Sequence, residues 1–283
     1  ESALVFGSGY SANLGTLSAF AMRDLTVIYD ELSHASIRDG MRLGKSTTWK
    51  FKHNDLKDLE EKIKKAATPV LVVTESVFSM DGDSPDFDRL LELKKLYKFA
   101  LFVDEAHGFG WVESGQTRTE QLGIAEHIEA RTVTFGKALG AHGAAVLCSE
   151  NWKAFLVNFA RPFIYSTGPS SSFYHRIGEQ YLKIKGADEE RKSLSSNMAY
   201  FLSRKKKSSL KMIVSASPIQ GVIGNEVQVR GWEQKLLENG VSAKKILSPT
   251  VATGKERIRI CLHSFNTKEE IDLLFNLLED ESH

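Results

Sequence analysis

The chain has 283 residues, 42% apolar and 26% charged, the composition of an ordinary globular protein long enough for a large domain and a smaller one. Its 37 basic residues against 36 acidic give no electrostatic reason to expect nucleic acid or an anionic membrane as a partner. Two cysteines, Cys148 and Cys261, are too few for a disulfide framework, and no signal peptide or membrane-length apolar run is present. A cytoplasmic location is therefore predicted. The one basic cluster, Arg204-Lys205-Lys206-Lys207, reads as a solvated turn. Because the chain opens at Glu1 without a methionine and enters a strand almost at once, further sequence is expected upstream.

In chain order, strands are predicted over residues 3–6, 26–29, 49–51, 69–74, 100–103, 131–135 and 143–148, with helices over 11–22, 55–65, 86–97 and 150–160. Strands alternating with helices argue for an α/β domain whose mostly parallel sheet is covered on both faces. After Pro169 the texture changes. A long polar amphipathic stretch runs to about Lys207, then strand-like segments at 212–214, 220–223 and 257–261 alternate with helical ones at 227–238 and 268–278. The expected division is a large domain over 1–170 and a smaller α+β domain over 171–283.

Two motifs carry the chemistry. Lys137, in Thr134-Phe135-Gly136-Lys137, and Asp104, in Asp104-Glu105-Ala106-His107-Gly108, each follow an apolar strand that delivers them to the carboxyl edge of the sheet. An amine and an acid so placed suit pyridoxal phosphate (PLP), which a lysine holds covalently while an aspartate pairs with the pyridine nitrogen. Taken alone, each residue has a blander explanation, a surface lysine and an acid ending a strand at a turn. Gly7-Ser8-Gly9-Tyr10 opens the first helix, with Asp30 ending the next strand. That pattern suits a dinucleotide-binding turn and its ribose-binding acid as well as a phosphate cradle, but a dehydrogenase leaves Lys137, Asp104 and His107 without a task. Gly44-Lys45-Ser46 lacks the upstream glycine of a nucleotide-binding loop, which removes a helicase reading of the Asp104 motif. His34, after the second strand, can stack on a planar cofactor or be a hydrogen-bonded structural histidine. His53 reads as structural, with Asn54 or Asp55 as a helix N-cap. Ser79, in Ser76-Val77-Phe78-Ser79-Met80-Asp81-Gly82, sits in a strand-to-turn transition or beside a cofactor, and spacing does not choose. The remaining histidines show no metal-site spacing, and no metal is expected.

Several segments together resemble the α-oxoamine synthase family, PLP enzymes with an aspartate-aminotransferase-like fold. They are Ser8-Gly9-Tyr10-Ser11-Ala12-Asn13, Leu32-Ser33-His34-Ala35-Ser36, His53-Asn54-Asp55, Phe78-Ser79-Met80-Asp81-Gly82-Asp83, Asp104-Glu105-Ala106-His107-Gly108, Thr134-Phe135-Gly136-Lys137, Ile164-Tyr165-Ser166-Thr167, Ser248-Pro249-Thr250-Val251 and Arg257-Ile258-Arg259. The likeness spans nearly the whole chain. It implies that the amides of Gly9 and Tyr10 and the hydroxyl of Thr134 bind the cofactor phosphate, with Ser166 and Thr167 reaching a phosphate across a homodimer interface so that active sites are shared. It implies that His34 stacks on the ring and touches substrate, that Asp104 pairs with the ring nitrogen, and that His107 bonds the ring hydroxyl with Ser79 nearby. Lys137 holds the cofactor, Arg259 rather than Arg257 binds the amino-acid carboxylate, and Thr250 lies beside the substrate. The implied reaction is decarboxylative condensation of L-alanine with a pimeloyl thioester, CoA- or carrier-protein-borne, in biotin synthesis. Members using glycine or serine, and a catalytically silent partner subunit, are the alternatives. The family carries a further N-terminal segment that lines part of its substrate channel. One departure stands out: Ser264-Phe265-Asn266 occupies the place of the family's Ala-Ala-His.

Overall fold

The computed structural model describes residues 1–280. The chain divides into two compact units, one of residues 1–78 and 84–187, the other of 79–83 and 188–283.

The first unit is built on a seven-stranded sheet. Its strands are β1 (Ser2–Phe6), β2 (Thr26–Asp30), β3 (Thr47–Phe51), β4 (Val70–Glu75), β5 (Ala100–Asp104), β6 (Ala130–Thr134) and β7 (Ala144–Cys148), in the order β1-β7-β6-β5-β4-β2-β3. Five neighbours, β3-β2-β4-β5-β6, run parallel, and β7 alone is reversed between β6 and β1. The carboxyl ends of β1, β2, β4, β5 and β6 therefore share one edge. Alternation sends Val27, Leu71, Val73 and Phe102 to one face and Ile28, Val72, Leu101 and Val103 to the other. The first face is covered by α1 (Gly9–Phe20), α2 (Ala35–Leu43), α6 (Glu150–Phe159) and the short α7 (Arg161–Ile164). The second is covered by α3 (Leu56–Lys65) and α4 (Phe87–Tyr97), with α5 (Arg118–Gln121) and α8 (Ser171–Lys185) completing the unit. Both faces being buried explains why the central strands read as unbroken apolar runs.

Local chemistry sets the helix starts. Ser8, Asp55, Asp86 and Ser149 each cap a helix by accepting a first-turn amide. The short helix α2, absent from the expected elements, is capped by His34. It crosses α1 so closely that a Cβ at Gly40 would lie 3.0 Å from the Asn13 carbonyl oxygen and the Leu17 Cβ. Gly44, which ends α2, backs onto Ala21 and has a packing role, not a phosphate-binding one.

The second unit has a three-stranded antiparallel sheet, β8 (Ile219–Ile223), β10 (Arg257–Cys261) and β9 (Lys244–Ile246), with β10 central. Helices α9 (Asp188–Lys205), α10 (Glu226–Glu238) and α11 (Lys268–Glu279) pack Phe201, Val229, Leu236 and Phe275 onto Val222, Ile258 and Ile260. Segment 79–83 joins the other face of this unit. Asp81 pairs with the buried Arg257 guanidinium at 2.7 Å, and Ser215 Oγ donates to the Gly82 carbonyl at 2.9 Å.

Three expectations shift in detail. The polar stretch after Pro169 is two helices, broken at Gly186-Ala187. The contact boundary falls after Ala187, not after 170, because α8 sets Ile177 and Ile184 against Phe109, Val133 and Phe135 of the first unit. Segment 212–214 makes a single bridge, Met212 to Val222, where a strand is expected. Just beyond it, Ser215 and Ser217 turn the backbone by accepting the Ser217 and Ile219 amides.

Candidate active site

Four strand ends converge on one edge. His34 follows β2, Glu75 ends β4, Asp104 ends β5, and Thr134 ends β6 with Lys137 in the turn beyond it. Asp104 is buried and anchored on both oxygens: Oδ1 accepts the Ala106 amide at 2.8 Å and Oδ2 accepts Asn13 Nδ2 at 2.6 Å. The same Asn13 nitrogen donates to Ser36 Oγ at 3.0 Å, which lies 2.8 Å from His34 Nδ1. The Ser36 amide also donates to His34 Nδ1 at 3.2 Å, so the neutral imidazole carries its proton on Nε2. A chain of polar groups thus runs from buried Asp104 on β5 through buried Asn13 and Ser36 to the more exposed His34 at the cap of α2.

Glu75 lies beside Asp104 in the β4–β5 register and accepts the His34 amide at 2.6 Å. Burial first, and the Asp104 charge second, hold its carboxyl well above the usual carboxylate range, against the opposing His34 amide and Lys137 ammonium. Burial likewise pulls the His34 imidazole below its ordinary value; Asp104 pushes back and Lys137 adds to the depression.

The amino end of α1 lies at the same edge. The amides of Gly9 and Tyr10 are among the first-turn groups that have no acceptor within a helix. A Cβ at Gly9 would stand 2.5 Å from Thr134 Cγ2, so only glycine lets the two backbones approach this closely. Thr134 Oγ1 is buried with no hydrogen-bond partner. The Tyr10 hydroxyl, in contrast, is occupied by Asp39 on α2 at 2.5 Å.

The Asp104 motif separates into different jobs. Glu105 turns inward, where its carboxylate accepts the amides of Thr119 at 3.0 Å and Arg118 at 3.2 Å and so caps α5. Gly108 is needed because a Cβ there would come within 2.2 Å of Ser76 Oγ and 2.3 Å of Glu105 Oε2. His107 accepts Trp111 Nε1–H on its carbonyl at 2.7 Å.

The ribose-binding role considered for Asp30 fails. Its buried carboxylate accepts the amides of Leu32 and Asn54, both at 2.8 Å, and pairs with His53 Nδ1 at 2.9 Å. In addition, β1 pairs with β7 and not with β2, so the glycine turn does not belong to a parallel βαβ unit. His53 is structural, edge-on to Phe78, and Asp55 is the cap of α3.

In the second unit Arg259 Nε donates to the Ser79 carbonyl at 2.6 Å. Thr250 follows the Ser248-Pro249 turn with its amide on the Leu247 carbonyl at 3.0 Å. Ser166 and Thr167, after α7, are exposed. Among the described residues no group of His, Cys, Asp and Glu could hold a metal ion, and no helix is long and apolar enough to cross a membrane.

Asn13, Ser36 and Glu75 are the site residues that motif reading passes over. One of them had a signal: Glu75 is an acid closing an otherwise apolar strand.

A family model described as aminotransferase class I and II matches residues 1–278. The chain belongs to this family. It is 34% identical over 287 residues to the 8-amino-7-oxononanoate synthase of Fervidobacterium nodosum, covering 99% of this chain and 73% of that relative. Its fold matches a variant serine palmitoyltransferase from S. paucimobilis with bound PLP–myriocin, at TM-score 0.92 and 27% identity over 98% of this chain and 71% of that one. It also matches the 8-amino-7-oxononanoate synthase of Francisella tularensis, at TM-score 0.87 and 27% identity over 98% and 81%. The aspartate-aminotransferase-like fold expected from the sequence is the one observed.

Proposed function

We propose that this chain is a PLP-dependent 8-amino-7-oxononanoate synthase, an acyltransferase of biotin synthesis that condenses L-alanine with a pimeloyl thioester and releases carbon dioxide. The observation that carries the reading is the meeting of anchored Asp104, Lys137 and a glycine-cleared helix start at one strand edge. It occurs in a chain 34% identical over 99% of its length to a synthase of that name.

The residues fit the cofactor. The partnerless Thr134 hydroxyl beside Gly9, with the amides of Gly9 and Tyr10, suits a phosphate, which supplies acceptor oxygens at the positive end of α1. When bound, PLP supplies a protonated pyridine ring that takes up electrons released at the substrate Cα. Asp104, fixed by Asn13 and Ala106, is placed to hold the proton on the ring nitrogen. Lys137 anchors the cofactor and, as a neutral amine, removes the Cα proton. A neutral His34 stacks on the ring without adding positive charge, and presents its Nε2 proton as a donor. His107 and Ser79 bond the ring hydroxyl. Arg259 binds the substrate carboxylate, with Thr250 beside the substrate.

The first unit would be the cofactor-binding domain and the second the small domain of a cytoplasmic homodimer with shared sites, to which Ser166 and Thr167 contribute. Support comes from the apolar side chains exposed around them, Phe159, Ile164 and Tyr165.

A serine-using member of the family is the second reading, favoured by the higher TM-score of serine palmitoyltransferase, 0.92 against 0.87. Titrating L-alanine, glycine and L-serine against the cofactor absorption, then assaying thiol release from acyl thioesters, separates the two. L-alanine with a pimeloyl thioester is expected; a response to L-serine alone would replace the first reading by the second.

A further inference from the structure

Strand β10 alternates Arg257, Arg259 and Cys261 on one face with Ile258 and Ile260 on the other. The two arginines differ in what they already hold. Arg257 is buried and committed, with Nη1 on the Met80 carbonyl at 3.0 Å and on Asp81 at 2.7 Å, and Nε on the Lys255 carbonyl at 3.1 Å. Arg259 is half-buried and has no acidic partner among the described residues. Its Nε donates to the Ser79 carbonyl at 2.6 Å and its Nη1 to Cys261 Sγ at 3.0 Å. Directly across the ladder stand Gly221, which has no side chain, and Lys244, a like charge that repels the guanidinium. Without support the long Arg259 side chain would swing away from Lys244. The carbonyl holds its Nε edge and the sulfur the opposite, Nη1 edge. The hydrogens that remain, on Nη1 and both on Nη2, form the end-on fork that grips a carboxylate through two parallel bonds.

We infer that Cys261 is a positioning residue for Arg259: its sulfur, together with the Ser79 carbonyl, fixes the guanidinium plane so that the outer fork faces an amino-acid carboxylate. This rests on the proposed role of Arg259 in substrate binding. A sulfur suits the task because it is a weak acceptor that steers the guanidinium without competing with the substrate carboxylate for it.

The test compares Cys261→Val, which removes the acceptor, with Cys261→Ser, which keeps one, in the PLP-loaded protein. L-alanine affinity is read from the cofactor absorption. The Val variant is expected to bind L-alanine about threefold to tenfold more weakly, the range for loss of one modest hydrogen bond, with kcat at saturating L-alanine and the PLP spectrum unchanged. The Ser variant should recover most of the affinity. Equal affinity in Cys261→Val and the parent protein overturns the inference. No response to L-alanine in the parent protein overturns the proposed function instead.

A second arm needs no turnover and no variant. Cys261 is exposed, whereas Cys148 is buried and its thiol is pushed up to about 11, chiefly by burial, so iodoacetamide labelling reports on Cys261 alone. L-alanine should slow that labelling, read by mass spectrometry of the digest. An unchanged rate at saturating L-alanine contradicts the placement of Cys261 behind the carboxylate site, including in the case where Cys261→Val does not fold.

Discussion

Asp104 acts with a charge that its neighbours hold still. Two N–H donors fix its oxygens, so the carboxylate need not reorganise as charge builds on a bound ring. Asp104→Asn keeps the shape and removes the charge. It is expected to leave PLP bound while lowering turnover by several powers of ten, each worth about 1.4 kcal/mol of barrier. Near-normal turnover in that variant, measured with saturating substrates, would assign the electron-sink role elsewhere. Glu75 is the opposite kind of acid. Its carboxyl is raised by burial and by Asp104, so the folded state binds its proton more tightly than the unfolded chain does. That contribution is fully present below the ordinary carboxylate value of 4.5 and is lost as pH rises through the raised value. Glu75→Gln mimics the protonated form at every pH. Melting temperatures measured across pH should fall less steeply on the alkaline side in the variant than in the parent; identical slopes would mean that Glu75 is not the buried acid responsible.

At the scale of elements, the site depends on how closely α1 approaches the end of β6. Gly9→Ala puts a methyl group 2.5 Å from Thr134 Cγ2, and a short β-branched side chain has little room to yield. The expected result is PLP binding weaker by about tenfold to a hundredfold, matching the roughly 1–3 kcal/mol that overpacking costs, with the far-ultraviolet circular dichroism retained. Unaltered PLP affinity would place the phosphate away from α1. This element was partly legible in the sequence. The strand, the glycine turn and the helix could be read from Leu4-Val5-Phe6-Gly7-Ser8-Gly9, but the same letters fit a dinucleotide turn. What decides between them is strand pairing: β1 joins β7, which lies far from it in sequence, and no local pattern encodes that partner. For the same reason Asn13 and Ser36 were hidden. Their importance comes from the close crossing of α1 and α2, which no local pattern encodes. The long apolar strands that feed Glu75, Asp104 and Thr134 were legible because both faces of their sheet are covered.

At the scale of the whole molecule, the two units place different burdens on the sequence. In the first, unbroken apolar strands and side-chain caps announce most of the elements. In the second, the short strand β9 and the borrowed segment 79–83 depend on contacts distant in the chain, among them the Arg257–Asp81 pair, and were not foreseen. The proposed role of Lys137 was legible in its strand-delivered motif beside that of Asp104, but that of Arg259 only through family resemblance, since alternation puts Arg257 and Arg259 on one face and cannot choose between them. The central claim is that Lys137 carries the cofactor, and it is tested most directly by borohydride reduction of the PLP-loaded protein followed by mass spectrometry of the digest. The account predicts a phosphopyridoxyl group fixed on Lys137 and absent from Lys137→Ala; a fixed group on any other lysine, or none at all, would contradict it.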